Sequence, residues 1–106
     1  ASAQNFSASS YDGDIKLSFD CPDDFGIYSL HRKDDRGNER TLKTWNGTEG
    51  HIEYIDSTVT PGKTYSYYVS VQHETMKIGQ KTVYGLPTRE TPIQVDKRVI
   101  SINLVE

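Results

Sequence analysis

The chain has 106 residues, of which 34% are hydrophobic and 25% charged, and its formal net charge is -3; the pI is near 5.6 and the mean hydropathy -0.68. That length supports one domain with its own core, and the acidic balance excludes the basic face of a nucleic-acid binder. The single cysteine, Cys21, excludes an intrachain disulfide, and no apolar run approaches the roughly 20 residues of a membrane-spanning helix.

In chain order the pattern is one of strands. Residues 3–9 open with a short polar-apolar run. After Asp12-Gly13-Asp14, the stretch 14–20 sets Ile15, Leu17 and Phe19 on one face against Lys16 and Ser18. Cys21-Pro22-Asp23-Asp24 turns the chain into 26–33, where Tyr28 and Leu30 face one way and Ser29 and His31 the other. Asp34-Asp35-Arg36-Gly37-Asn38 leads to 40–45; with Leu42 inward, Thr41, Lys43 and Trp45 are expected outward. Asn46-Gly47 precedes 50–56, which turns Ile52 and Tyr54 to one face. Pro61-Gly62 then opens 63–73, where Tyr65, Tyr67, Val69 and Val71 alternate with Ser66, Tyr68, Ser70 and Gln72. A long connection spans 73–85. The last run, 81–95, is broken by Gly85, Pro87 and Pro92, and proline is tolerated only at sheet edges, bulges or strand starts. Seven short alternating runs separated by turn residues predict an all-β, antiparallel β-sandwich.

One stretch is more specific. Val59-x-Pro61-Gly62-x-x-Tyr65, preceded by Tyr54-x-Asp56 and followed by Tyr67-x-Val69-x-Val71, resembles the sixth-strand region of fibronectin type III domains. Gln4-Asn5-Phe6-Ser7-Ala8 is similar to that family's first strand, and Tyr28-x-Leu30-x-Arg32 to its third. The resemblance implies a seven-stranded Greek-key sandwich over 1–95. It also implies a tyrosine corner built from Pro61, Gly62 and Tyr65, with the Tyr65 hydroxyl bonded to the chain just upstream. The chain departs from the family in carrying Phe19 where tryptophan is usual in the second strand, and Asn38 follows Arg36-Gly37 where the cell-adhesion tripeptide needs aspartate. Segment 96–106 reads as a linker, with an added edge strand as the alternative.

Catalytic constellations are not apparent, and neither an enzyme nor a cofactor is expected. His31, His51 and His73 are far apart in sequence without metal-ligand companions. On the strand pattern His31 and His51 point away from the core as surface residues. Cys21 sits in an acidic turn that would raise its pKa. Asp12, Asp14, Asp20, Asp23 and Asp24 flank one strand, and calcium would require them to meet at one end of the sandwich; turn formation is the alternative, and no metal site is assigned. The candidate recognition surface is Trp45 and Tyr68 on a shared outer patch, together with Met76, Ile78 and Tyr84 of the 73–85 connection. Asn5-Phe6-Ser7 and Asn46-Gly47-Thr48 match the glycan acceptor pattern.

The chain begins at Ala1 without an initiator methionine, and is expected to be an excised domain or processed product. The leading expectation is a non-catalytic accessory module of a larger extracellular or cell-surface protein, perhaps polysaccharide-acting, whose partners are its neighbouring domains. The alternatives are a glycan- or protein-recognition module and a structural domain of a viral tail or surface appendage. Neither nucleic acid nor membrane insertion is expected.

Overall fold

The computed structural model describes residues 2–74, 82–84 and 87–96. Within them the chain is all-β: β1 (Gln4–Tyr11), β2 (Asp14–Cys21), β3 (Gly26–Lys33), β4 (Glu39–Asn46), β5 (Gly50–Asp56), β6 (Thr64–Glu74), β7 (Thr82–Tyr84) and β8 (Thr91–Gln94). One antiparallel sheet has the order β1-β2-β5. The other has the order β4-β3-β6-β7, with β8 also paired to β6. The last two segments make one interrupted seventh strand. β7 pairs residues 72–74 of β6 and β8 pairs residues 64–67. Between them the Thr88 amide donates to the Val69 carbonyl, and the Val69 amide donates to Thr88 Oγ1, both at 2.9 Å. A side-chain oxygen thus replaces a carbonyl in the ladder where the chain departs from strand geometry. Pro92, opposite Ser66, lies on this outermost strand, where its missing N–H costs no ladder bond.

The alternation read from the sequence fixes the interior. Ile15, Leu17 and Phe19 of β2 are fully buried, and they face Tyr28 and Leu30 of β3 and Tyr65, Tyr67, Val69 and Val71 of β6. Each such side chain contributes roughly 1.5–3 kcal/mol on leaving water. Val95, just past β8, closes the interior at one end. The outer surfaces are polar, as a one-sided sheet requires. Ser7 Oγ meets Ser18 Oγ at 2.8 Å on one, and Ser29 Oγ meets Thr44 Oγ1 at 2.9 Å on the other. The result is a two-sheet, β-sandwich-like core.

Turn chemistry sets the register. Asp12 (φ 47°) and Gly13 (φ 82°) both take the left-handed conformation, which makes the β1–β2 connection a two-residue type I′ turn matched to strand twist.

In β4 the structure corrects the expected facing. Leu30 pairs with Lys43 but His31 pairs with Thr41, so Leu42 is an extra residue in the ladder. This bulge lets Leu42 and Trp45, three apart, both pack on the core. The Trp45 ring therefore faces inward. It meets Phe19 edge-on at 5.2 Å and Tyr54 at 6.0 Å.

Candidate functional site

The turn that precedes β6 builds the first feature. Pro61 presets φ, Gly62 takes φ 87°, and the Lys63 amide donates to the Thr60 carbonyl at 3.2 Å. Tyr65 follows with its ring buried, and its hydroxyl accepts a hydrogen bond from the Thr60 amide at 2.9 Å. This is the tyrosine-corner geometry expected for Pro61, Gly62 and Tyr65. Replacing Tyr65 by Phe leaves that amide without its partner and is expected to cost roughly 1–3 kcal/mol in chemical denaturation; a loss within error of zero refutes the corner's energetic role.

Beside the corner lies a buried ionic cluster that joins the two sheets. Asp56 ends β5 and Arg32 lies near the end of β3; both are buried. Arg32 Nη1 donates to Asp56 Oδ2 at 2.9 Å and to Thr58 Oγ1 at 2.6 Å. Tyr67 donates its hydroxyl to Asp56 Oδ2 at 2.7 Å. The Thr58 amide and hydroxyl donate to Asp56 Oδ1 at 3.0 and 2.6 Å. The guanidinium also lies 5.1 Å from the centre of the Tyr65 ring. Burial pushes the Asp56 carboxyl up, but the Thr58 and Tyr67 hydroxyls, the Thr58 amide and Arg32 outweigh it and hold the group below its ordinary value. Burial and the same carboxylate push the Tyr67 phenol far up. The sequence reading did not anticipate this cluster. A signal was there: Arg32 shares the strand parity of Tyr28 and Leu30, and Asp56 that of Ile52 and Tyr54, so opposite charges occupy two inward positions.

The residues proposed for recognition do not form one patch. Trp45 faces the interior. Tyr68 lies on the outer face of the β4-β3-β6 sheet, stacked on His31 with centroids 4.6 Å apart and planes at 22°. The shared outer patch is therefore corrected. Met76 and Ile78, and the side chain of Tyr84, lie outside the described residues, as does the side chain of His73. Asn46 is exposed at the end of β4, whereas Asn5 spends its amide on Asp20 Oδ2 at 2.8 Å.

His31 points outward as expected but is half-buried and bonded on both nitrogens: Nε2 to Ser70 Oγ at 2.7 Å and Nδ1 to Thr41 Oγ1 at 3.0 Å. Burial lowers its pKa, partly opposed by Glu39, which favours the neutral ring. A serine-histidine contact of this kind becomes nucleophilic when a carboxylate orients the far nitrogen; here a threonine hydroxyl occupies that position. His51 is exposed and bonds Asp20 at 2.7 Å, which raises its pKa.

Cys21 is buried, and burial, then Asp20 and Asp23, push its thiol up to about 11. Desolvation thus outranks the acidic turn that the sequence suggested. The acidic turns themselves separate: Asp12 and Asp14 stand at the start of β2 and Asp23 and Asp24 beyond its end, about 23 Å along an eight-residue strand. Among the described residues no three His, Cys, Asp or Glu side chains gather into a metal-binding group.

Comparison of the chain with models of known protein families and with curated proteins finds no match.

Proposed function

We propose that the chain is a fibronectin type III-like Greek-key module with a non-catalytic, accessory role in a larger extracellular or cell-surface protein, where it spaces and orients neighbouring domains. The observation that carries this reading is the Thr60–Tyr65 corner bond at 2.9 Å, set within sheets of order β1-β2-β5 and β4-β3-β6-β7. Three of the connections, β2 to β3, β4 to β5 and β5 to β6, pass from one sheet to the other, which supports the Greek-key assignment. Arg32, Asp56 and Tyr67 are engaged across the sheets and Cys21 is buried in the core, which fits a rigid spacer.

The test is made in the parent chain. Replacing residues 1–96 by a Gly/Ser linker of equal residue number is expected to broaden the spin-label distance distribution between the flanking domains, because such linkers behave as random coils. Turnover by those domains on a small soluble substrate is expected to stay unchanged. A distance distribution as narrow as that of the parent overturns the spacer role.

A second reading is recognition through the outer face of the β4-β3-β6 sheet. It is favoured by the His31–Tyr68 stack, which fixes one aromatic ring amid the hydroxyls of Ser29, Thr41, Thr44 and Ser70.

A further inference from the structure

A strand at the edge of a sheet presents unpaired N–H and C=O groups, and folds blunt such edges with bulges, prolines or lysines. Among the described residues, every sheet edge but one is blunted. β1 carries a register shift between Gln4 and Ser7, with Asn5 at φ 53°. β4 carries the Leu42 bulge together with Arg40 and Lys43. The interrupted last strand carries Pro92. β5 has none of these devices. Its sequence GHIEYID pairs with β2 in unbroken register from Gly50 to Asp56, and no described strand pairs with its other side. The same edge leaves apolar surface to cover. Ile52 and Tyr54 of β5, and Leu42 and Trp45 of β4 across the sandwich, are only partly buried, whereas the inward residues of β2, β3 and β6 are closed off from water.

We propose that β5 is a self-pairing edge, through which two copies of this chain join antiparallel about a two-fold axis at Ile52. The strand's own charges select a second copy as the occupant. Antiparallel self-pairing keeps outward residues opposite outward ones, so the axis must pass beside a single residue. An axis at His51 or Ile55 runs the ladder off the strand. An axis at Glu53 sets two carboxylates directly opposite, which is destabilising. An axis at Tyr54 sets Ile52 against the partner's Asp56, a carboxylate committed to Arg32, Thr58 and Tyr67. An axis at Ile52 sets His51 opposite the partner's Glu53 twice, with the two Ile52 side chains meeting on the inner face. It also brings Tyr54 opposite the partner's Gly50, where nothing lies within 4 Å of a Cβ position. The His51 and Glu53 side chains are 57% and 55% exposed, which leaves room for the partner's charges beside their own contacts to Asp20 and Lys16. Asp20, and then Glu53, raise the His51 pKa, which favours the charged ring that this register uses. The inference does not rest on the spacer reading; either can fail alone.

The experiment uses the 106-residue chain. Sedimentation equilibrium at rising concentration is expected to show a reversible monomer–dimer equilibrium. Amide hydrogen exchange at residues 50–54 is expected to slow as the dimer forms, while β1 and β4 keep their rates; this readout needs no variant. His51→Glu and Glu53→Lys should each weaken association about tenfold or more, because each sets like charges opposite one another. Both variants should melt like the parent when dilute, since exposed ion pairs contribute little. Mixed in equal amounts, the two variants should pair with each other about as tightly as the parent does with itself. The new carboxylate of one then faces the new ammonium of the other, and the retained Glu53 faces the retained His51. A chain that stays monomeric at millimolar concentration overturns the proposal. So does protection that appears on β1 or β4 instead, or a mixture that associates no better than its components.

Discussion

Replacing Asp56 by alanine is expected to destabilise the fold by about 3–5 kcal/mol, the cost of leaving a buried charge without its partner. Asp56 receives four hydrogen bonds, and its removal strands the Arg32 guanidinium between the sheets and the Tyr67 hydroxyl in the core. Against a typical total of about 5–15 kcal/mol for such a domain, this takes roughly a fifth or more of the stability. It corresponds to a fall in Tm of roughly 15 °C or more. Arg32→Met combined with Asp56→Asn should cost less than the two single changes added together, because neither charge is left alone. Additive losses in thermal unfolding would show that the pair is not coupled.

The same carboxylate gives a pH dependence with a definite sign. Its folded pKa lies below the unfolded value, so its stabilisation is complete above about pH 4, where the unfolded group ionises, and is lost as pH falls through the folded pKa. Tm measured from pH 6 down to 2 is therefore expected to fall on an acid limb that is shallower in Asp56→Asn. Identical limbs in both proteins would remove Asp56 as the source.

How much of this was legible depends on what each residue type reveals. The period-two runs of β2, β3, β5 and β6 gave their inward sets directly, because one-faced burial leaves a two-residue signature. Val59-x-Pro61-Gly62-x-x-Tyr65 gave the corner, since a proline, a left-handed glycine and a buried phenol each leave a specific letter. The interrupted last strand was visible only as prolines; that Thr88 completes its ladder through a hydroxyl is a tertiary fact. The Arg32–Asp56 pair was hidden by habit, because charges on inward positions are rare and neither residue stands out locally.

The facing of β4 failed for a sharper reason, and Trp45 tests it. Period-two reading assumes an unbroken ladder, and one extra residue at Leu42 reverses every facing beyond it. No proline or glycine marks that bulge in Thr41-Leu42-Lys43-Thr44-Trp45. Trp45→Ala is accordingly expected to cost about 2–4 kcal/mol, below the full range for a core tryptophan because the ring is only partly buried. An outward indole would give a change within roughly 0.5 kcal/mol. Phe19 and Tyr54 lose their edge-on partner in this variant, and Lys43 Nζ, 5.3 Å from the ring centre, loses the face it covers. As the chain's single tryptophan, Trp45 also reports on itself. Its emission should lie at shorter wavelength than that of a solvated indole and resist acrylamide until the protein unfolds. Ready quenching in the native state, together with an unchanged denaturation midpoint for Trp45→Ala, would return the ring to the surface and remove the bulge as its cause.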